Sequence, residues 1–259
     1  MIESSKEGME RSVKDTSDII GSGWVYLAVA VSGTWVFWIP AVFLDMRFDN
    51  AAGLVLLLVG LAVPGLSGIV FVYLVYDEGG RADFWNRVTQ PRRFGIRWLI
   101  VILLVPLGIV VLAGVADLLL GGTGPVWGEG VTGFGANPLA MLPALFFATL
   151  PPILEELGWR GYALDRLQMN WSALSASLIL GVVWASWHLP LFFVEATYQH
   201  DVVGFGTPGF WMFMSGTVAL SVAISWVYNN TERSILGIII FHGWVNFTAE
   251  TIVVPDPVY

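Results

Sequence analysis

The amino-acid sequence predicts an all-α fold, namely a polytopic bundle of transmembrane helices. Hydrophobic residues make up 56% of the 259 residues and charged residues only 12%, whereas an ordinary soluble domain carries about 25% charged residues. Seven stretches contain no Asp, Glu, Lys or Arg: 19–44, 50–76, 98–116, 130–154, 167–194, 202–231 and 234–249. Apolar blocks of this length, without the alternation typical of a membrane barrel, predict spanning helices.

Each block can supply a membrane crossing, because a spanning helix needs about 20 residues. We predict about seven spans, with six to eight as the range, near 22–44, 51–76, 97–120, 138–157, 173–194, 209–229 and 233–253. The first 18 residues are polar, so 1–18 is predicted to be a cytoplasmic segment. Residues 19–259 are predicted to form a single integral-membrane domain, in which 138–250 hold the motifs described below.

Lysine and arginine residues predict the orientation, because cytoplasmic loops carry an excess of them. With a cytoplasmic N-terminus, eleven of the twelve basic residues lie on the cytoplasmic side and only Arg47 lies outside. We therefore expect a multi-pass protein of the cell membrane with its N-terminus in the cytoplasm. The stretch from Gly80 to Pro91 is predicted to be either a short interfacial helix or an ordinary juxtamembrane loop.

Composition excludes several classes of function. The chain has a net charge of −8 and only 12 basic residues, too few for a nucleic-acid surface. Membrane lipid is the partner that the apolar surface predicts. The absence of cysteine excludes a disulfide, a thiolate metal site and a cysteine nucleophile.

Three charged residues follow the uncharged block 130–154, namely Glu155, Glu156 and Arg160. A charge at the centre of a spanning helix costs roughly 2.5–3.5 kcal/mol on insertion scales. This cluster is therefore a candidate functional site. The alternative for Glu156 and Arg160 is a structural ion pair, because their i, i+4 order favours one.

Two of the three histidines, His188 and His242, lie in predicted spans, and Asn246 follows His242 by four residues. A step of four places His242 and Asn246 on one helix face. Polar residues inside a membrane normally face the interior of the bundle or a wet cavity. The alternative for these three residues is hydrogen bonding between helices.

Glutamate, histidine and amide side chains are suited to hydrolysis. A buried carboxylate and a histidine can deprotonate water together, and a second histidine and an asparagine can donate hydrogen bonds to an oxyanion. Alternatively, His188, His242 and Glu155 could hold zinc with an open position for water. No H-E-x-x-H motif demands zinc, and no G-x-S-x-G motif favours a serine nucleophile.

Three short motifs occur in order on apolar segments four, five and seven. Residues 155–160 read E-E-x-x-x-R, 184–188 read W-x-x-x-H, and 242–246 read H-x-x-x-N. Together they resemble the motifs of the CAAX-protease and bacteriocin-processing family (CPBP, or Abi) of intramembrane proteases. The resemblance covers about residues 138–250, whereas the first 130 residues match only as generic membrane helices.

The resemblance implies an endopeptidase that hydrolyses a peptide bond of a membrane-associated substrate, which in some members is a prenylated CAAX protein. Glu155 would be the general base and would act with His188 on the attacking water. His242 and Asn246 would support the oxyanion.

The resemblance also implies that Glu156 and Arg160 shape the site. It leaves open whether the reaction depends on glutamate alone or on a metal such as zinc. Trp184 stands where the family usually has phenylalanine, and this difference bears on the size of the cavity.

Two functions of other classes use the same residues. A membrane scaffold or partner-binding protein, as in an immunity role, would share the fold without proteolysis. A proton-coupled transporter would use glutamate and histidine as a relay, and Pro151-Pro152 could break the fourth span as transporter helices are broken.

Overall fold

The computed structural model describes residues 21–119, 121, 126–127 and 129–253, and this part of the chain is almost entirely helical. The α-helices are α1 (Gly23–Phe43), α2 (Ala51–Val75), α3 (Glu78–Thr89), α4 (Gly95–Leu119), α5 (Glu129–Ala136), α6 (Met141–Gly158), α7 (Asp165–Gln168), α8 (Ala173–Trp187), α9 (Pro208–Asn230) and α10 (Ile235–Thr251). Short 3-10 helices lie at Pro91–Arg93, Pro138–Ala140 and Leu189–Phe193, and π-helical turns at Trp159–Leu164 and Gln199–Val203. The two-residue strands β1 (Val126–Trp127) and β2 (Ile252–Val253) pair antiparallel. The predicted all-α class is confirmed.

Six helical runs in the described residues are long and apolar enough to cross a membrane: Gly23–Phe43, Ala51–Val75, Gly95–Ala116, Pro138–Gln168, Ala173–Phe193 and Pro208–Asn230. The seventh predicted span is a shorter apolar helix over Ile235–Ala249. The chain is thus an integral, multi-pass membrane protein. The cytoplasmic N-terminal segment 1–18 lies outside the described residues, and the orientation and the single-domain assignment stay predictions.

The fourth predicted span continues further than expected. It was predicted to end at residue 157, but the helical run extends from Pro138 to Gln168 through the π-helical turn. Pro151 and Pro152 lie inside α6 and do not break it, so the break that the sequence left open at this pair does not occur. The stretch 80–91, open between a helix and a loop, is mostly helical, because α3 covers it as far as Thr89.

The described chain divides into two compact units. The first unit contains residues 21–86 and 154–225, and the second unit contains 87–153 and 226–253. In the first unit α1 packs along α2, and α2 packs against the π-helical turn that follows α6. In the second unit α10 packs along α4.

Pro64 inside α2 illustrates how the first unit supplies hydrogen-bond partners to its backbone carbonyls. Pro64 has no N–H, so the helix cannot supply a donor to the carbonyl of Gly60. The hydroxyl of Thr34 on α1 donates to that carbonyl at 2.9 Å. Neighbouring side chains that replace a lost backbone donor allow proline in membrane helices. The contact between α1 and α2 therefore also replaces the hydrogen bond that Pro64 removes from α2.

A cluster of charged side chains joins the loop between α1 and α2 to residue 195. Arg47 donates to Asp49 through Nη2 at 2.7 Å and also forms an ion pair with Glu195. All three side chains are about half exposed. The guanidinium of Arg47 hydrogen-bonds to Asp49 and lowers the pKa of that carboxyl from its ordinary value. Because exposed ion pairs contribute little, this cluster orders the loop more than it stabilises the fold.

Close helix contact in the first unit requires glycine at position 158. A Cβ at Gly158 would lie 2.0 Å from Oη of Tyr26 and 2.1 Å from the carbonyl oxygen of Pro64. The Tyr26 hydroxyl donates to that same carbonyl at 3.0 Å. A methyl group here would have to displace both the backbone of α2 and the ring of Tyr26.

We therefore expect Gly158→Ala to lower the free energy of unfolding by about 1–3 kcal/mol, the usual penalty for overpacking. The measurement is chemical unfolding of the purified protein in detergent micelles. Gly216→Ala is the matched control within a spanning helix, because no atom lies within 4 Å of its added Cβ. Equal stability of the two variants would contradict the close contact at Gly158.

Candidate active site

The carboxylate of Glu155 is buried and receives a hydrogen bond from a tryptophan. Glu155 lies in the last turn of α6 and is 4% exposed. Its Oε2 accepts the Nε1–H of Trp184, which lies on α8 and is 2% exposed, at 2.6 Å. A hydrogen bond to a charged acceptor in a water-poor site is stronger than one between neutral groups. The bond therefore fixes the carboxylate against α8.

His188 is held by the backbone of the same tryptophan. It is the residue at which α8 ends, and its Nδ1 lies 2.9 Å from the carbonyl oxygen of Trp184. A carbonyl oxygen only accepts, so Nδ1 carries the proton and the lone pair of the neutral ring is on Nε2. The rings of Trp187 and Phe213 pack edge-on against His188, with centroids 4.7 and 5.3 Å away. This packing limits rotation of the imidazole.

Glu156 and Arg160 form a fully buried ion pair. Arg160 Nη1 donates to both carboxylate oxygens of Glu156, at 2.9 and 3.1 Å, and both side chains are 0% exposed. Arg160 Nη2 donates to Oγ of Ser221 at 3.1 Å, and that hydroxyl donates to the carbonyl of Ser177 at 3.0 Å. The guanidinium also lies over the ring of Trp184, 4.9 Å from its centroid. The ion pair that the i, i+4 spacing predicted is thus confirmed as a contact.

The first unit brings five of the motif residues into one polar cluster within its apolar core: Glu155, Glu156, Arg160, Trp184 and His188. The helical run does not stop after the glutamates, and the π-helical turn Trp159–Leu164 carries Arg160. Such π-helical segments occur frequently at functional sites. The glutamates consequently lie within a long helical run and not at its end.

His242 and Asn246 belong to the second unit. His242 is buried on α10, at 4% exposed. Asn246 is half-buried, and its Nδ2 donates to the carbonyl of Ala148 on α6 at 3.2 Å. Pro152 lacks the N–H that would otherwise bond to this carbonyl along the helix. Asn246 therefore supplies the donor that Pro152 removes.

The metal prediction was tested against the donor set. Zinc with an open position needs three protein ligands, and no group of three or more His, Asp or Glu side chains that could hold a metal occurs in the described part of the chain. Of the predicted ligands, Glu155 and His188 lie in the first unit and His242 in the second. Zinc at His188, His242 and Glu155 therefore stays a prediction, and the reaction proposed below does not use it.

Sequence reasoning missed two contributions to this cluster. Trp184 stands out in the sequence as a departure from phenylalanine, but the sequence does not show that its indole donates to Glu155. Ser221 was not identified, although Ser221 and Ser225 are spaced four apart in the apolar helix α9. Paired small polar residues on one face of a spanning helix indicate an inward-facing polar stripe, and this signal was present in the sequence.

A multi-pass helical membrane protein with a buried carboxylate and a histidine that both contact one tryptophan has groups suited to hydrolysis within a membrane. Comparison with known proteins specifies the class further. Residues 137–248 match the family described as type II CAAX prenyl endopeptidase Rce1-like. CAAX prenyl protease 2 of Methanococcus maripaludis is 26% identical over 226 residues, which cover 85% of this chain and 81% of the relative. Over residues 137–248 the chain is similar to this family of membrane endopeptidases, and it is an intramembrane protease.

Removal of one member of the buried ion pair should be more damaging than removal of both. We expect Arg160→Met to lower the free energy of unfolding by about 3–5 kcal/mol, because the Glu156 charge is left in an apolar interior. The double variant Glu156→Gln with Arg160→Met should lose less than Arg160→Met alone. Unfolding in detergent micelles measures both values, and a double variant that loses as much as Arg160→Met, or more, would contradict a coupled pair.

The bond from Asn246 to Ala148 can be tested through the proline that makes it necessary. We expect Asn246→Ala to lower the free energy of unfolding by about 1–3 kcal/mol, the penalty for an unsatisfied buried acceptor. In a Pro152→Ala background the helix supplies its own N–H to Ala148, so the same substitution should be nearly neutral. A double-mutant cycle measures this coupling, and equal losses in both backgrounds would disprove it.

Proposed function

We propose that this protease hydrolyses a peptide bond of a membrane-associated substrate with a water molecule that Glu155 and His188 activate. The observation that carries the proposal is that one residue, Trp184, bonds to both groups in a buried site. Its side chain binds the carboxylate of Glu155 and its backbone carbonyl binds the imidazole of His188. A carboxylate and an imidazole that are both fixed by one residue are suited to accept a proton from water.

The proposed reaction proceeds through a tetrahedral intermediate. Glu155 accepts a proton from water as the water oxygen attacks the carbonyl carbon of the scissile bond. His188, with its proton on Nδ1, offers the Nε2 lone pair as the second acceptor. The C–N bond then breaks, and the proton taken from water passes to the leaving amine nitrogen, so the base returns to its starting state.

The intermediate carries a negative oxygen that needs hydrogen-bond donors. On the strength of the motif resemblance we propose His242 and Asn246 for this role. An asparagine side chain has two N–H donors, and the bond to Ala148 uses one of them. In the proposed site Glu156 and Arg160 act as a support, because their ion pair holds the turn that follows Glu155.

We propose a substrate of the prenylated CAAX type. The relative in Methanococcus maripaludis is named a CAAX prenyl protease, and the matching family is described as prenyl endopeptidases. Such a substrate is tethered by its lipid, so it reaches the site from the bilayer. The cell membrane is the proposed location, with lipid and the tethered substrate as the partners and with no nucleic acid involved.

Glu155→Gln should abolish cleavage with the fold retained. Loss of a general base lowers the rate by about 10²–10⁴-fold, and the amide keeps the size of the side chain. The assay is release of the C-terminal peptide from a farnesylated CAAX peptide by protein in lipid vesicles. Glu195→Gln is the matched control, because Glu195 is an exposed glutamate in the Arg47 cluster. Cleavage by Glu155→Gln at the rate of the control would refute the proposed mechanism.

Two further arms of this assay address the substrate and the metal. The same peptide without the farnesyl group should be cleaved poorly if the lipid tether delivers the substrate. A strong chelator should leave cleavage unchanged if glutamate and histidine act without metal. Loss of activity with chelator and its return with zinc would instead support zinc at His188, His242 and Glu155.

A further inference from the structure

We propose that Trp184 is a positioning residue for the proposed hydrolytic pair, acting through its indole N–H on Glu155. This inference rests on the proposed function, because it assigns Glu155 the role of base. The side chain of Trp184 touches the base and the supporting arginine, and its backbone touches the histidine. Trp184 thus contacts all three of Glu155, Arg160 and His188.

The hydrogen bond to Glu155 fixes the direction of the carboxylate. The Nε1–Oε2 distance of 2.6 Å is at the short end for a bond to a charged oxygen. Both side chains are almost completely buried, so bulk water does not compete for the indole donor. With Oε2 bound to the indole, rotation of the carboxylate is restricted.

The indole ring is itself held in place from its face. Arg160 lies over the ring at 4.9 Å from the centroid, and a guanidinium over a tryptophan face is an attractive contact. Arg160 in turn is fixed by Glu156 and Ser221. The buried ion pair thereby orients the indole, and the indole orients Glu155.

The end of α8 accounts for the contact with His188. The backbone N–H of His188 donates to the carbonyl of Ala185 at 3.2 Å as the helix tightens at its last turn. The carbonyl of Trp184 receives Nδ1 of the His188 ring instead. This second contact comes from the backbone, so side-chain replacement at position 184 separates the role of the N–H from the role of the carbonyl.

A residue that positions the base without touching the substrate should affect kcat and not KM. Trp184→Phe removes the N–H and keeps an aromatic side chain. We expect kcat to fall by about 10–100-fold, since small misplacement of a reacting group can reduce the rate by about 10²-fold, and KM to change by less than about twofold. Trp159→Phe is the matched control, because Trp159 is also fully buried and its Nε1 has no acceptor within the described chain.

Replacement of Trp184 with benzothienylalanine keeps the shape of the indole and removes only the N–H. The proposal expects this variant to lose kcat as Trp184→Phe does, while Trp159→Phe keeps the wild-type kcat. If benzothienylalanine restores the wild-type kcat, ring volume and not the N–H determines the rate, and the proposal is overturned. A parallel fall in both Trp184→Phe and Trp159→Phe would also overturn it, because general packing would then explain the loss.

A spectroscopic measurement tests the contact independently of activity. In protein with ¹⁵N-labelled tryptophan, the indole resonance of Trp184 is the one absent from Trp184→Phe. It should move upfield in Glu155→Gln, where a neutral amide replaces the charged acceptor, and the Trp159 resonance should stay in place. An unchanged Trp184 resonance overturns the positioning role, whereas full cleavage by Glu155→Gln with a shifted resonance overturns only the proposed function.

Discussion

A polar group inside an apolar helical protein has little water to bind, so the protein must supply its partner. The Glu156–Arg160 pair is where this constraint is most severe, because both side chains are 0% exposed. Further contacts of the guanidinium offset part of the cost of burying the pair. Ser221 accepts a hydrogen bond from Nη2, and the ring of Trp184 covers the face of the group. Nε of Arg160 has no hydrogen-bond partner in the described residues. The position of the catalytic candidates follows from the way this buried charge is compensated.

The same constraint explains the prolines inside the helices. Pro64 and Pro152 each remove a backbone donor from a spanning helix, and in each case a polar side chain from another helix replaces it. The residues that do so, Thr34 and Asn246, belong to different units. Asn246 is thus both a motif residue and a structural donor, and a loss of activity on its substitution has two physical causes that must be separated.

The similarity to the family and the local geometry point independently to the same residues. The matched region 137–248 contains every residue that the sequence motifs singled out. The geometry adds that tryptophan at position 184 is more than a larger phenylalanine, since its N–H bonds to Glu155. Tryptophan in place of phenylalanine therefore affects the orientation of the proposed base and not only the size of the cavity.

The sequence by itself determined the helical class and about seven apolar segments, of which six are long enough to span and the seventh is a shorter helix in the described residues. It also singled out the candidate site residues, whose roles stay predictions. These follow from apolar length, from charge-free blocks and from i, i+4 spacing, which are all local properties of the chain. Prediction from the sequence failed where the structure of a segment depends on a partner that is distant in the chain. The fourth helix was expected to end at residue 157 and to be open to breaking at Pro151-Pro152, yet it continues to Gln168.

Only the tertiary structure decided which buried donor pairs with which acceptor. The bond between Trp184 and Glu155 joins residues 29 apart in the chain, and the bond between Asn246 and Ala148 joins residues 98 apart. Hydropathy assigns a residue to a span, but the partner of a buried polar atom depends on how the spans rotate and pack against one another. That packing is a property of the whole fold, and it gave Trp184 its contacts with Glu155 and Arg160.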